Sequence, residues 1–240
     1  YLRLHLSHQA ALLSQWLDPN KTLIMQNSLP DHIVIEGPIG VGKSSLAQRL
    51  AGEFDAELIL EEIDDNPFLE QFYQRPREAA LSTQLFFLMQ RTKQIQSLRQ
   101  TSIFNQSKIA DYLIEKDKLF AQVSLNPTEY DLYLQVYEHM MTEAPKPDLV
   151  VYLQAPVATL LERIKKRGRN FERFIETNYL EQLNEAYAEF FYHYQDAPLL
   201  IVNASEIDFI NNERDYEQLK TQIVNTTSGR HYYNPLSFVS

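Results

Sequence analysis

The chain has 240 residues, no cysteine, 44% apolar residues and a formal net charge of −10. The length suits one large α/β domain with a full core, and the missing cysteines exclude disulfides, thiolate metal sites and thiol nucleophiles. The acidic balance argues against a nucleic-acid polymer as partner, because such binding draws its strength from phosphate neutralisation.

Residues 1–30 precede the first core strand and read as an N-terminal helical extension, with Leu4, Ala11, Leu12, Trp16 and Leu17 partly on one helix face and a stop at Asp18-Pro19. The chain opens at Tyr1 rather than methionine, as a trimmed chain or a stretch of a longer polypeptide would. No charged-then-apolar leader is visible and no apolar run has the length of a membrane span, so the cytoplasm is the expected compartment. The domain proper is expected over 31–240.

Residues 32–36 (HIVIE) form an apolar strand pattern, and 37–44 (GPIGVGKS) match G-x-x-x-x-G-K-[ST] before a helical stretch that starts at Ser45. In this strand–loop–helix setting Gly37, Gly40 and Gly42 let successive backbone N–H groups curl around phosphates, helped by the helix N-terminus. Lys43 is expected to reach the outer phosphates and Ser44 to ligate Mg²⁺, with Ser45 on the same cradle. A nucleoside triphosphate is the expected ligand. A second strand at 56–61 ends at Glu61, and in an open parallel sheet ligands sit at the carboxyl ends of strands. Glu61 is therefore a candidate for the reaction centre, whereas Asp64 and Asp65 read as solvated loop.

Residues 79–98 carry a broad apolar helix face that also bears Gln84 and Arg91, two turns apart on the same side. A short strand ending at Asp111 places a second acid at the carboxyl edge. Residues 128–141 read as an aromatic helix for core or subunit contacts, and 148–154 as a central parallel strand. A helix from Val157 runs into Arg163, Lys165, Lys166, Arg167 and Arg169, a basic stretch in an acidic chain that suits a phosphate-clamping lid, since arginine forks bind phosphate oxygens bidentately. A helix at 179–194, a fifth strand at 199–202, a helix near 216–224 and an irregular tail complete the chain. The alternation predicts a three-layer α/β fold with a five-stranded parallel sheet flanked by helices.

These motifs together resemble the deoxyribonucleoside kinases, in particular bacterial deoxyadenosine and deoxyguanosine kinase-like members: EGPIGVGKS at 36–44, Glu61 followed by NPFL at 66–69, Gln84 with Arg91, and Arg163, Arg167, Arg169 and Asn170. The resemblance covers about 32–209 and implies a P-loop kinase fold with an Arg-rich lid. It also implies ATP-dependent phosphorylation of the 5′-hydroxyl of a deoxynucleoside, with Mg²⁺, no membrane, and a homodimer. By the same resemblance Glu61 is the general base, and Gln84 and Arg91 hold the nucleobase. Tyr73 and Glu172 bind the sugar 3′-hydroxyl, Phe120 stacks on the base, Arg163, Arg167 and Arg169 cover the donor phosphates, and Asp208-Phe209 hold the donor adenine. Asp111 takes the metal-side acid of an acid-Arg-Ser motif, but Tyr112 stands where the arginine is expected. Lys116, Lys118 or the lid remain to supply that cation. The resemblance tilts the base toward a purine. A nucleoside monophosphate kinase would want extra arginines near 62–80, where only Arg75 and Arg77 occur, beside several acids. A kinase-like subunit without catalysis would not need Lys43, Ser44, Glu61 and three lid arginines intact.

Overall fold

Strands β1 (His32–Glu36), β3 (Lys108–Ala110), β4 (Leu149–Gln154) and β5 (Leu199–Asn203) are built from apolar runs buried on both faces, the pattern of a covered parallel sheet. The computed structural model describes residues 29–101, 107–141 and 145–235, so the N-terminal extension expected over 1–30 lies almost wholly outside the described residues. With β2 (Glu57–Ile59) and β6 (Arg230–Tyr233) the sheet has six strands in the order β2-β3-β1-β4-β5-β6. Every pairing is parallel, with Ile33 opposite both Ile109 and Leu149.

The sequence predicts five of these strands and leaves the tail irregular. The sixth, β6, pairs with β5 from Leu199↔Arg230 to Val202↔Tyr233. It is an edge strand of sequence Arg-His-Tyr-Tyr, partly exposed throughout, so it carries no apolar run to announce it. The turn at Gly229 (φ 70°) and two bonds from Arg230 to the carbonyls of Tyr192 and Tyr194 (3.0 Å each) fix it in place.

Helices cover both faces. On one, Leu46 and Leu50 of α1 (Lys43–Phe54), Leu160 of α6 (Val157–Arg167) and Tyr216, Leu219 and Ile223 of α8 (Glu213–Asn225) pack on Ile33, Ile35, Val151 and Val202. On the other, Leu119 of α4 (Lys116–Ser124) and Leu183, Tyr187 and Phe191 of α7 (Thr177–His193) pack on Val34, Val150 and Tyr152. The strict alternation along β1 and β4 thus feeds two cores. A third cluster joins α2 (Leu69–Gln74), α3 (Pro76–Thr101) and α5 (Pro127–Met140) through Phe72, Leu88 and Tyr133. This helical layer stands beside the carboxyl edge of the sheet. Its boundaries follow local chemistry: α2 stops at Arg75, the residue before Pro76, and α5 opens with Pro127 and an Asn126–Glu129 capping box.

β1 delivers the chain to the loop at 37–44 through a close approach. Gly37 has φ 150°, and a Cβ there would lie 2.4 Å from the carbonyl oxygen of Leu153 in the neighbouring strand. That oxygen is central-sheet backbone and cannot retreat. Gly37→Ala should therefore destabilise the fold by about 3 kcal/mol, combining overpacking with backbone strain. A thermal melt reads this as a fall of several degrees or more, and an unchanged midpoint would contradict the close approach.

Candidate active site

The loop between β1 and α1 forms an open cradle. Gly40 and Gly42 have positive φ (84° and 110°), and a Cβ on Gly42 would meet the Phe209 ring at 2.9 Å. Lys43 folds back along the loop and donates to the carbonyls of Gly37 (2.7 Å) and Pro38 (3.1 Å). Burial lowers its pKa, and the surrounding carboxylates of Glu36, Glu61 and Asp111 oppose that fall. Arg163 turns inward instead of over the cradle. Its guanidinium donates to the carbonyls of Val41 (3.1 Å) and Ala204 (2.7 Å), tying the loop to the segment after β5. The expectation of a lid role for Arg163 thus meets a bracing geometry: three residues beyond buried Leu160, it lies against the sheet side of α6.

Next to the cradle the acids converge. Asp111, immediately after β3, accepts from the Ser44 hydroxyl (2.5 Å) through one carboxylate oxygen and from the Glu61 backbone N–H (2.8 Å) through the other. Two adjacent hard oxygens at a phosphate cradle suit Mg²⁺, which takes few protein ligands and completes its shell with phosphate and water. Among the described residues no group of three or more His, Cys, Asp or Glu is placed to cage a metal alone, so a shared site with phosphate is the arrangement these donors fit.

Glu61 reaches the same place from β2. One carboxylate oxygen pairs with Arg91 of α3, the other with Lys116 Nζ (2.9 Å). Burial by itself would raise the Glu61 pKa, but the adjacent Lys116 and Arg91 charges outweigh it and hold the pKa at about 2. Arg91 is backed in turn by buried Asp117. Lys116 is backed by Glu36, 3.9 Å away, itself fixed by the N–H groups of Gly37 (2.8 Å) and Leu113 (2.6 Å) and the Tyr187 hydroxyl (3.0 Å). The result is an alternating chain of charges, Glu36, Lys116, Glu61, Arg91 and Asp117, all buried except Glu61, whose side chain keeps 12% exposure.

Of the two lysines open as replacements for the missing arginine, the structure brings Lys116 into the cluster. Lys118 is exposed and lies over the Tyr137 ring at 4.4 Å. Tyr112 points its hydroxyl away, to Gln94 (2.6 Å). Lys116, Asp117 and Glu36 are the contributors that sequence alone singles out weakly or not at all. The one available signal is a glutamate closing the buried strand HIVIE.

A cavity opens from this cluster into the helical layer. Its wall includes Gly40, Gly42, Lys43, Ser44, Ser45, Glu61, Asp111 and Lys116 on the sheet side, and Tyr73, Gln84, Arg91, Phe120, Tyr179 and Glu172 on the other. Gln84 is buried, with Nε2 3.4 Å from the Ser124 hydroxyl. Tyr73 stacks parallel to Phe171 at 6.2 Å, and Phe120 meets Tyr187 edge-on at 6.0 Å. Arg167 forks onto buried Glu172, with 3.0 Å from Nε to Oε2, and Arg169 lies 3.8 Å from Glu172 and 3.6 Å from Asp64. So Tyr73, Gln84, Arg91, Phe120 and Glu172, the residues expected at the nucleoside, share one cavity with Asp111, Arg167 and Arg169.

Asp208 and Phe209 line a second, adjoining cavity with Gly40, Gly42, Arg163 and Arg167. Phe209 is buried against Gly42 and its carbonyl accepts from Arg49 (3.0 Å). The Asp208 carboxylate is occupied locally, accepting from the backbone N–H groups of Ile210 (3.2 Å) and Asn211 (3.0 Å) and from the Asn211 side chain. It therefore shapes the turn that forms this part of the cavity wall.

Comparisons with known proteins agree with one another. A family model described as deoxynucleoside kinase matches residues 33–228. Deoxyguanosine kinase of Bacillus subtilis is 38% identical over 196 residues, covering 80% of this chain and 95% of the relative. Deoxyadenosine/deoxycytidine kinase of the same organism is 30% identical over 210 residues, with 83% and 93% covered. A solved structure of deoxyadenosine kinase from M. mycoides with bound dATP superposes with a TM-score of 0.69 at 30% identity, covering 80% of this chain and 98% of that one. The chain belongs to the deoxynucleoside kinase family.

Proposed function

We propose that this protein transfers the γ-phosphoryl group of ATP to the 5′-hydroxyl of a deoxyribonucleoside, with a purine as the preferred base, in cytoplasmic nucleoside salvage. The observation that carries this reading is the single cavity joining the phosphate cradle, through Glu61 and Asp111, to a pocket of buried Gln84 and aromatic rings. The relatives named as deoxyguanosine and deoxyadenosine kinases support the purine. An uncharged acceptor fits better than a monophosphate: Arg75 is exposed and paired with Glu78 (3.0 Å), Arg77 is exposed, and neither lines the cavity.

Phosphoryl transfer asks a protein for alignment and charge neutralisation more than for covalent chemistry. Lys43 swings from the loop carbonyls to the outer phosphates, and Arg167 and Arg169 close over them. Ser44 and Asp111 would hold Mg²⁺, which supplies further neutralisation of the β- and γ-phosphate oxygens when bound. Glu61 orients the 5′-hydroxyl for in-line attack. As the 5′ oxygen bonds to the γ-phosphorus, its proton passes to Glu61 and the bond to the β-phosphate oxygen breaks, releasing ADP with the bonding pair. The Lys116 and Arg91 charges keep Glu61 ionised and so able to accept that proton, and their bonds to both carboxylate oxygens fix its orientation. Closure of the arginines excludes water and limits ATP hydrolysis. Met89 on α3 and Leu132 on α5, 50% and 48% exposed, offer an apolar face for a homodimer.

The direct test is transfer of labelled γ-phosphate from ATP to each of the four deoxynucleosides. We expect labelled 5′-monophosphate from a purine deoxynucleoside, with kcat/KM at least about tenfold above that for thymidine, a discrimination of 1.4 kcal/mol or more. Transfer only to nucleoside monophosphates would overturn the reading. Glu61→Gln should lower kcat by roughly 10²–10⁴ while leaving nucleoside binding, measured calorimetrically, nearly intact. Gln84→Ala should raise the nucleoside KM by about 5- to 150-fold, the equivalent of one buried unpaired polar group of 1–3 kcal/mol, with the ATP KM little changed. Equal effects on both KM values would place Gln84 outside the acceptor pocket.

A further inference from the structure

The face of α3 that meets the cavity carries Thr83, Gln84, Phe87 and Arg91, the spacing of one helix stripe. Two of its three polar side chains have protein partners: Gln84 on the Ser124 hydroxyl, Arg91 on Glu61 and Asp117. Thr83 has none. It is 0% exposed, and its Oγ1 is sealed from solvent without a hydrogen-bond partner among the described residues. A helical threonine can turn its hydroxyl back to the carbonyl four residues earlier, but the Ala79 carbonyl takes the Ser82 hydroxyl instead (3.0 Å). The Thr83 backbone is pinned as well. Its carbonyl accepts from Nδ2 of buried Asn66 (3.2 Å), and Asn66 Oδ1 accepts from the Phe68 N–H (3.1 Å). The asparagine of NPFL thus holds this turn of α3 in place. A hydroxyl buried without a partner is unfavourable, and one kept on a cavity wall calls for an explanation.

We propose that the Thr83 hydroxyl is a second hydrogen-bonding contact to the nucleobase, beside Gln84, left open in the free protein for the substrate to close. The inference rests on the nucleoside kinase reading above. Placement argues for the base over the sugar and the phosphates. Arg91 marks the Glu61 end of the stripe, where the 5′-hydroxyl reacts, and Thr83 lies about 12 Å back along the helix axis. The far end of a nucleoside with its 5′-hydroxyl at Glu61 is the base. A hydroxyl both donates and accepts, so Thr83 can pair with a ring nitrogen, a carbonyl or an amino group at that edge. Binding then satisfies an unpaired group on the protein and one on the ligand together, and a base with no polar atom there gains neither.

Near-isosteric replacement separates this role from packing. Thr83→Val keeps the shape and removes the hydroxyl, so the free protein loses only an unpaired group. We expect it to melt at or above the wild-type midpoint, yet to show a nucleoside KM raised at least about fivefold, with kcat and the ATP KM within about threefold. Thr83→Ser keeps the hydroxyl and gives up a methyl group, so it should melt lower but hold the nucleoside KM within about threefold of wild type. A nucleoside KM for Thr83→Val within about twofold of wild type would overturn the proposal. So would a valine variant that melts lower and raises both KM values alike, the pattern of a packing role. The partner atom is found with analogues of the best deoxynucleoside, each lacking one polar atom of the base edge (for a purine, N1, N7 or the six-position substituent). The Thr83→Val penalty should vanish with one of them, and a penalty undiminished in all would remove the base as the partner. A wild-type protein inert toward all four deoxynucleosides would instead remove the kinase reading itself, so the two failures are distinct.

Discussion

Glu61 is a carboxylate held ionised inside the protein, and most of the site exists to keep it so. Removing an ion from water costs several kcal/mol unless partners and hydrogen bonds replace the solvent. Here Lys116 and Arg91 do so, and each has its own second carboxylate, Glu36 or Asp117. These five residues come from β1, the loop two residues past β2, α3 and α4. The charge chain therefore fixes how the helical layer sits against the sheet. A mis-set helix would strand a buried charge, which costs far more than a poorly packed methyl group. The same bonds that stabilise the arrangement aim the Glu61 carboxylate at the cavity.

The sheet supplies the other reference frame. β1 and β3 end side by side, so Glu36, the phosphate loop and Asp111 emerge at one edge at a depth set by the ladder. The backing of the loop is equally fixed: Gly37 on Leu153, Gly42 on Phe209, and Arg163 on two carbonyls. A rigid cradle of this kind loses little freedom when phosphates bind, leaving Lys43, Arg167 at the end of α6 and Arg169 just beyond it as the parts with somewhere to move.

Much of this was legible in the sequence because it rests on local spacing. The phosphate loop, Glu61 and Asp111 at strand ends, and Gln84 and Arg91 two turns apart need only the periods of strand and helix. What stayed hidden depends on tertiary context. Lys116 and Lys118 differ by two positions, and only the phase of α4, set by packing of Leu119 on the sheet, sends one inward and the other to solvent. Asp117 reads as one more charge in a charged run until Arg91 is opposite it. Arg163 belongs to a basic stretch, but its helix face turns it toward backbone carbonyls. β6 has no apolar alternation, since an edge strand draws its place from the ladder rather than from burial on both faces. The Asp208 carboxylate also braces its own turn, a use that fold-level resemblance does not disclose.

The fork between Arg167 and Glu172 spans the boundary between the two substrates. In the free protein each satisfies the other, with Glu172 buried beneath the guanidinium. With the sugar-hydroxyl role that the family resemblance implies for Glu172 and the phosphate role proposed for Arg167, a sugar hydroxyl that engages Glu172 loosens Arg167, and a phosphate that engages Arg167 loosens Glu172. Whichever substrate arrives first meets the cost of opening the fork, and the second finds it already open. Linkage makes that assistance equal in both directions. The pair is then a small coupling element, favouring the ternary complex over either binary one and keeping a lone triphosphate from a fully assembled site.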